Sequence, residues 1–370
     1  MPVLYTNMTK STRAVDSGRA VWPIAASRMI WLVIPRVHTL VCAAAWIAGT
    51  VSYGSAARAE NRRIDFGSLV VTISTSRTAQ VFHIVDQLAN WDPYTHRAYI
   101  RWAAKSNALD DEDKKALARH AEMRKARGRG NGFEQAFLVA DSIADAAANA
   151  VRSQVLPAAD ANEEAAILTR FSTKLAALID EHAAELEAFA ARIEQDRDRL
   201  SPLVAQIARL SGAKAPLAVP VFLVANTEAG SGGGEANANR LIVEVPAPDS
   251  RGTLLHESLH AFLRPRADEI TAAAARAGLS YTELNEGIAY ALSPGLTDEP
   301  GVDRIADQLK RFAEQGRPAT DPYVRFYTIA TVIKPVLRQS LANGEPLATF
   351  LPKAVAAWKT PGRGHSSALR

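Results

Sequence analysis

The chain has 370 residues, of which 48% are hydrophobic and 22% are charged, a composition typical of a globular protein with one or two domains. Its net charge of +4 arises at the front, because residues 1–59 contain six basic residues and one acidic residue, and the rest contains 37 basic and 38 acidic residues. A nearly neutral body offers no electrostatic basis for a nucleic-acid partner, so we expect none.

Residues 1–59 have the pattern of an export signal. Arg28 and Arg36 precede an apolar run at 37–51, and Ala57-Arg58-Ala59 is a small-x-small cleavage sequence. We predict a signal peptide that starts at Met1 or Met29 and ends at Ala59, and a periplasmic or secreted mature protein without stable membrane insertion. The alternative is that this segment remains as an uncleaved membrane anchor.

Cys42, the single cysteine, falls inside the predicted signal peptide. The mature chain would therefore have no cysteine, which excludes a disulfide framework and a thiol nucleophile.

The next region, residues 60–215, is predicted to be mostly helical after one β-rich strand. A glycine-rich segment at 128–132 lacks the Lys-Ser/Thr ending of a phosphate-binding loop, so we interpret it as a turn. The strand is expected at 69–74, and the helices at 78–89, 94–105, 110–127, 133–155 and 162–200.

Two β-branched runs, 217–224 and 240–245, predict two strands. The polar, glycine-rich segment between them, 231–239, is either a hairpin turn or a lid over a substrate.

The sequence His256-Glu257-Ser258-Leu259-His260 follows these strands. Apolar flanks and Pro265 indicate a helix, on which two histidines four residues apart share one face. Such a pair can bind one zinc ion, and Glu257 can act as general base on a metal-bound water.

A catalytic zinc ion takes three protein ligands and keeps one position open. Ser280 and Glu283 form a capping-box pattern, which predicts that a second helix begins near Ser280 and carries Glu286 in its second turn. Glu286 is the candidate third ligand. The rivals are Glu283, which the cap would use, and Glu269 on the connecting helix predicted at 268–277.

The strand pair, the HExxH helix and the Asn-Glu-Gly-Ile-Ala-Tyr sequence at 285–290 resemble the gluzincin branch of the zinc metallopeptidases, the thermolysin-like group of peptidase clan MA. The resemblance covers residues 217–295. It implies one Zn²⁺ per chain on His256, His260 and Glu286, with Glu257 as catalytic base and a peptide or protein as substrate. It also implies that residues 241–245 form the sheet edge that holds an extended substrate.

The oxyanion of such a reaction needs a hydrogen-bond donor besides the metal. Tyr323 and Tyr327 are the candidate catalytic tyrosines downstream, and the alternative is that both are core aromatics. Glu283 and Asp298 are candidates for orienting the two histidine ligands.

We therefore expect an α+β, predominantly α-helical fold with a zincin-like core, a small sheet before the HExxH helix and an N-terminal helical part. The function expected is that of an exported zinc metallopeptidase. The alternatives are a non-enzymatic periplasmic binding or scaffold protein with a degenerate zincin core, and a zinc hydrolase of cell-wall peptides. The expected divisions are a signal peptide at 1–59, a helical region at 60–215, a catalytic domain at 216–360 with closing helices at 302–314, 322–341 and 347–358, and a flexible tail at 361–370.

Overall fold

The structure is a computed structural model, and it describes residues 61–92, 95–128, 132–228, 233–237, 240–246, 250–297 and 301–360. The predicted signal peptide, the tail at 361–370 and the centre of the predicted turn at 128–132 lie outside these residues. Among the described residues, no helix combines the length and the apolar character needed to cross a bilayer.

Five strands form one mixed sheet in the order β1-β2-β3-β5-β4. The β2, β3 and β5 strands are parallel, while β1 and β4 are antiparallel to their neighbours on the two outer sides. The strands are β1 (Arg62–Asp65), β2 (Leu69–Ser74), β3 (Leu217–Ala225), β4 (Gly234–Asn237) and β5 (Arg240–Val245). The three strands expected from the sequence are confirmed as β2, β3 and β5.

Helices make up most of the described chain, so the expectation of a predominantly helical α+β fold is confirmed. A short 3-10 helix, Arg264–Arg266, joins α9 to α10. The α-helices are α1 (Arg77–Leu88), α2 (Ala98–Ser106), α3 (Asp111–Arg127), α4 (Gly132–Leu138), α5 (Ile143–Arg152), α6 (Ala158–Lys174), α7 (Ala176–Gln195), α8 (Arg197–Ser211), α9 (Ser250–Leu263), α10 (Ala267–Ala277), α11 (Tyr281–Leu292), α12 (Arg304–Glu314), α13 (Pro322–Ala342) and α14 (Leu347–Lys359).

The sheet separates two hydrophobic cores. Successive side chains of a strand point to opposite faces, so Val221 and Leu223 of β3 join one core while Phe222 and Val224 join the other. Helices α1 to α6 supply the core on the second face. Helices α8 to α14 and the end of α7 supply the core on the first, and that face carries the HExxH helix.

The prediction of one long helix over 162–200 was wrong, because the chain forms α6, α7 and α8 with breaks at Leu175 and Asp196. The breaks accompany a change of core. Phe171 of α6 packs in the core of the second face, whereas Phe189 of α7 packs in that of the first. The helix predicted at 133–155 is likewise divided into α4 and α5, and Ser142 caps the second of them.

The expectation that residues 241–245 form the sheet edge was also wrong. They lie in β5, which is paired on both sides, by β3 and by β4. Residues 233–237, from the glycine-rich segment, lie along β5 as the outer strand of a hairpin, so β4 becomes the edge strand. The sequence signal for β5 was correct, but nothing in it showed that a further strand would cover it.

A buried network of charged side chains joins the helices of the second face. His120 of α3 lies between two carboxylates, with Nε2 at 3.0 Å from Asp86 and Nδ1 at 2.9 Å from Glu164. Arg124, one turn further along α3, bonds to Asp86 at 2.6 Å and also pairs with Glu134. Burial lowers the pKa of His120, but the charges of Glu164 and Asp86 outweigh burial and raise the pKa to about 9.

Candidate metal centre

Helix α9 carries the HExxH sequence at the boundary between the sheet and the helices of the first face. Leu254, Leu255 and Leu259 are buried in the core, and they fix the rotation of the helix. The imidazoles of His256 and His260 lie on one face, as the four-residue spacing predicted, with their Nε2 atoms 3.2 Å apart. Both side chains are about nine-tenths buried, at 10% and 11% exposure.

Helix α11 brings Glu286 to these two imidazoles. The predicted capping box is present: the Ser280 hydroxyl accepts a bond from the Glu283 N–H, and the Glu283 carboxylate accepts one from the Ser280 N–H. The Glu286 carboxylate lies 3.3 Å from His256 Nε2 and 3.5 Å from His260 Nε2. Gly287 lets α11 pack closely on α13, because a Cβ there would lie 2.9 Å from Ile329 Cβ.

The spacing of the two imidazoles suits a tetrahedral metal ion. Two ligand atoms that are each about 2.0–2.1 Å from a tetrahedral zinc ion lie about 3.3–3.4 Å apart. The Nε2 atoms of His256 and His260 are 3.2 Å apart, and each lies near a different oxygen of Glu286, at 3.3 Å from Oε2 for His256 and at 3.5 Å from Oε1 for His260. Within the described residues, these three form the one group of histidine, cysteine and carboxylate side chains close enough together to hold a metal ion.

The other nitrogen of each imidazole also has a partner. His256 Nδ1 lies 3.3 Å from the carbonyl oxygen of Ser293, to which its N–H can donate. The Asn285 amide lies 2.8 Å from His260 Nδ1, and Asn285 Oδ1 has no hydrogen-bond partner among the described residues. Turning this amide by 180° pairs Oδ1 with an Nδ1–H of His260, which satisfies both groups and leaves Nε2 free for a metal.

The electrostatics of the triad favour a bound cation. Burial tends to raise the pKa of Glu286, but the charges of His260 and His256 outweigh it and hold the pKa well below its usual range. Burial likewise tends to lower the pKa of His260, but the Glu286 carboxylate raises it. A carboxylate that stays ionised beside two imidazoles is a suitable donor set for a divalent metal ion.

Glu257 of α9 packs against strand β4 and also lies close enough to the triad to interact with the charges of His256 and Glu286. A Cβ added to Gly234 would lie 2.7 Å from Glu257 Cγ and from Thr253 Cγ2, so only glycine allows β4 to approach this closely. The Ala236 N–H is also near the Glu257 carboxylate and favours its ionised form. Burial, with the negative charges of Glu286 and Glu235, raises the pKa of Glu257 to about 8. A metal cation at the triad would act in the opposite direction.

Tyr290 lies beside the triad, and two further tyrosines on α13 lie behind it. The Tyr290 ring contacts His256 with 4.5 Å between ring centroids, and the Tyr327 ring contacts Tyr290 at 4.3 Å. Tyr323, one turn before Tyr327, is 38% exposed, and its ring contacts Phe326 at 5.8 Å. The structure thus places Tyr327 next to the site through Tyr290 and Tyr323 further out. Burial raises the pKa of Tyr290 well above its usual value.

The rival ligands have other partners. Glu283 serves the α11 cap and forms an ion pair with Arg325 of α13. Glu269 pairs with Arg266 at 2.7 Å. Neither joins the group that could hold a metal ion. Glu283 does not contact either histidine, so it does not orient them as suggested from the sequence, and Asp298 lies outside the described residues.

Three features of the site were not predicted from the sequence, namely Asn285, the Ser293 carbonyl and the contacts of β4 with Glu257. A signal for Asn285 existed, since it directly precedes Glu286 in the capped helix. None existed for the others, because a backbone carbonyl and a four-residue strand carry no side-chain pattern.

Comparisons with protein-family models, with curated proteins and with solved structures find no match to this chain.

Proposed function

We propose that the protein is a zinc-dependent metallopeptidase with a gluzincin-type site, exported by its N-terminal segment. The observation that carries the proposal is that His256, His260 and Glu286 meet closely enough to hold one metal ion, with Glu257 near enough to interact with the charges of His256 and Glu286. The residues that the resemblance assigned to the site come together from two different helices. A chance HExxH sequence would not require Glu286 to lie there.

The proposed chemistry uses zinc for charge and the protein for orientation and proton transfer. A zinc ion on the triad would lower the pKa of a water molecule that it binds and would polarise the substrate carbonyl. Glu257 would accept the proton from the attacking water and deliver it to the leaving amine. Close packing of the Glu257 side chain against Gly234 would limit the positions that the carboxylate can take.

The proposed substrate is an extended peptide that pairs with β4. This strand is the edge of the sheet, and β5 pairs with it on one side only. Since Glu257 packs on the same strand, a peptide added to this edge would lie along the base. The resemblance implied that residues 241–245 hold the extended substrate. We propose that Gly234–Asn237 hold it instead.

The proposed reaction also needs a hydrogen-bond donor for the oxyanion. Tyr327 remains the first candidate and Tyr323 the second, because Tyr327 contacts Tyr290 beside His256 while Tyr323 is more exposed. A phenol hydroxyl can donate to a developing oxyanion.

Zinc content and hydrolysis together test the proposal. We expect about one zinc per chain in the wild-type protein, and strong loss of zinc in Glu286→Ala. Glu257→Gln should keep zinc and lose peptide hydrolysis. The matched control is Glu283→Gln, one turn before Glu286 on α11. This variant should keep both zinc and hydrolysis, because the partner of Glu283 is Arg325.

Two results would contradict the proposal. A wild-type protein that takes up no zinc when supplied with it would exclude the metal site. Tight zinc binding without hydrolysis of proteins, peptide libraries or cell-wall peptides would instead favour a non-enzymatic binding protein.

A further inference from the structure

Glu244 of β5 is a buried carboxylate on the face of the sheet opposite the metal ligands. Its side chain is 4% exposed, and it lies 2.9 Å from His83 Nε2 and 2.7 Å from His96 Nδ1. The two imidazoles also pack edge-on against the ring of Tyr99, at 6.0 and 5.9 Å between centroids. His83 belongs to α1 and Tyr99 to α2, so the N-terminal helices hold this carboxylate.

The same carboxylate also fixes the backbone that leads into β4. Glu244 Oε2 accepts a hydrogen bond of 2.9 Å from the Gly233 N–H. The Glu244 backbone N–H donates to the Gly233 carbonyl, also at 2.9 Å. Gly233 is therefore bound to one residue through both its donor and its acceptor, and it cannot shift without breaking a bond to a charged group.

From Gly233 the chain passes directly to the residues that touch Glu257. Gly234 comes next and packs against Glu257 Cγ and Thr253 Cγ2, leaving no space for a Cβ. Ala236, two residues on, lies with its N–H near the Glu257 carboxylate. A displacement of Gly233 would thus carry over to the position of Glu257.

We propose that Glu244 is a positioning residue, which holds β4 against Glu257 and is itself held by His83 and His96 from the helical half of the chain. This inference rests on the proposed role of Glu257 as general base. The N-terminal helices, which contribute none of the proposed metal ligands, would then help to position the general base. Charge supports it: burial tends to raise the pKa of Glu244, but the two histidines outweigh burial and keep the carboxylate ionised.

The test compares Glu244→Ala with Glu244→Gln in the full chain, read by amide hydrogen exchange over residues 233–237. Glu244→Ala removes the acceptor for the Gly233 N–H, so exchange in this segment should become about tenfold faster or more. Glu244→Gln keeps an acceptor oxygen and should recover most of the protection. The control is Glu164→Ala, which removes an equally buried carboxylate of the His120 network without contact to β4.

Zinc content and hydrolysis separate this inference from the proposed function. Glu244 contacts no metal ligand, so Glu244→Ala should keep the wild-type zinc content, while kcat/KM on a peptide that the wild type cleaves should fall about tenfold or more. Unchanged exchange over 233–237 in Glu244→Ala would overturn the inference. So would equal acceleration there in Glu164→Ala, or fast exchange with unchanged kcat/KM. A wild type without zinc would instead refute the proposed function, and the exchange result would still decide whether Glu244 holds β4.

Discussion

Asn285→Ala should weaken zinc binding, although Asn285 is not a ligand. The side chain is 8% exposed and lies 2.8 Å from His260 Nδ1, where its amide oxygen can accept the Nδ1–H bond. Loss of such a partner typically costs 10- to 100-fold in metal affinity. Because water has little access to this position, we expect the upper part of that range, about 30- to 100-fold, or about 2–2.7 kcal/mol.

The assay is competition for zinc between the protein and a chromophoric chelator at neutral pH. Asn285→Asp is the matched variant, because a carboxylate also accepts the Nδ1–H bond, and we expect its affinity to stay within about threefold of the wild type or to exceed it. Thr282→Ala, at an exposed position of the same helix, controls for changes in α11 itself. This role of Asn285 would be refuted if Asn285→Ala bound zinc as tightly as the wild type, or if Asn285→Asp lost as much affinity as Asn285→Ala.

Three further predictions concern packing, pH and the tyrosines. Gly287→Ala would place a Cβ 2.9 Å from Ile329 Cβ, so urea unfolding should show that the free energy of unfolding falls by about 1–3 kcal/mol. The double variant with Ile329→Ala should lose less than the sum of the two single losses, and strict additivity would disprove the contact. The pKa of His120 is raised to about 9, so its contribution to the free energy of unfolding should be complete below its ordinary pKa of 6.5 and lost as pH rises through about 9. Urea unfolding at neutral and alkaline pH should therefore show that the free energy of unfolding declines by a few kcal/mol, and this decline should be absent in His120→Gln. Tyr327→Phe should lower kcat about 10- to 100-fold with zinc content unchanged, whereas Tyr323→Phe should change it less than about threefold, and the reverse order would reject Tyr327 as the donor.

The positions of the three candidate metal ligands on their helices could be predicted because these signals are local. Four-residue spacing places His256 and His260 on one helix face, and the capping box at Ser280 sets where α11 begins and hence where Glu286 lies. These features depend on neighbouring residues alone. They therefore do not depend on how the rest of the chain folds.

The sheet could be predicted only in part, because strand pairing is non-local. Nothing in β2 indicates that it pairs in parallel with β3, whose residues lie more than 140 positions later in the chain. Strand β4, with the sequence Gly-Glu-Ala-Asn, has low strand propensity and depends on its pairing with β5. The same limit hid the link from Glu244 of β5 to Gly233, the residue before β4.

An edge strand that is open to a peptide, as proposed for β4, is also open to another copy of the same chain. Unpaired N–H and C=O groups on such an edge promote self-association, and proteins limit this with short strands and charged side chains. Strand β4 has four residues and includes Glu235, and β1 at the opposite edge has the sequence Arg-Arg-Ile-Asp. Both outer strands are thus short and charged, which is the pattern that limits self-association at an edge left open for the proposed peptide.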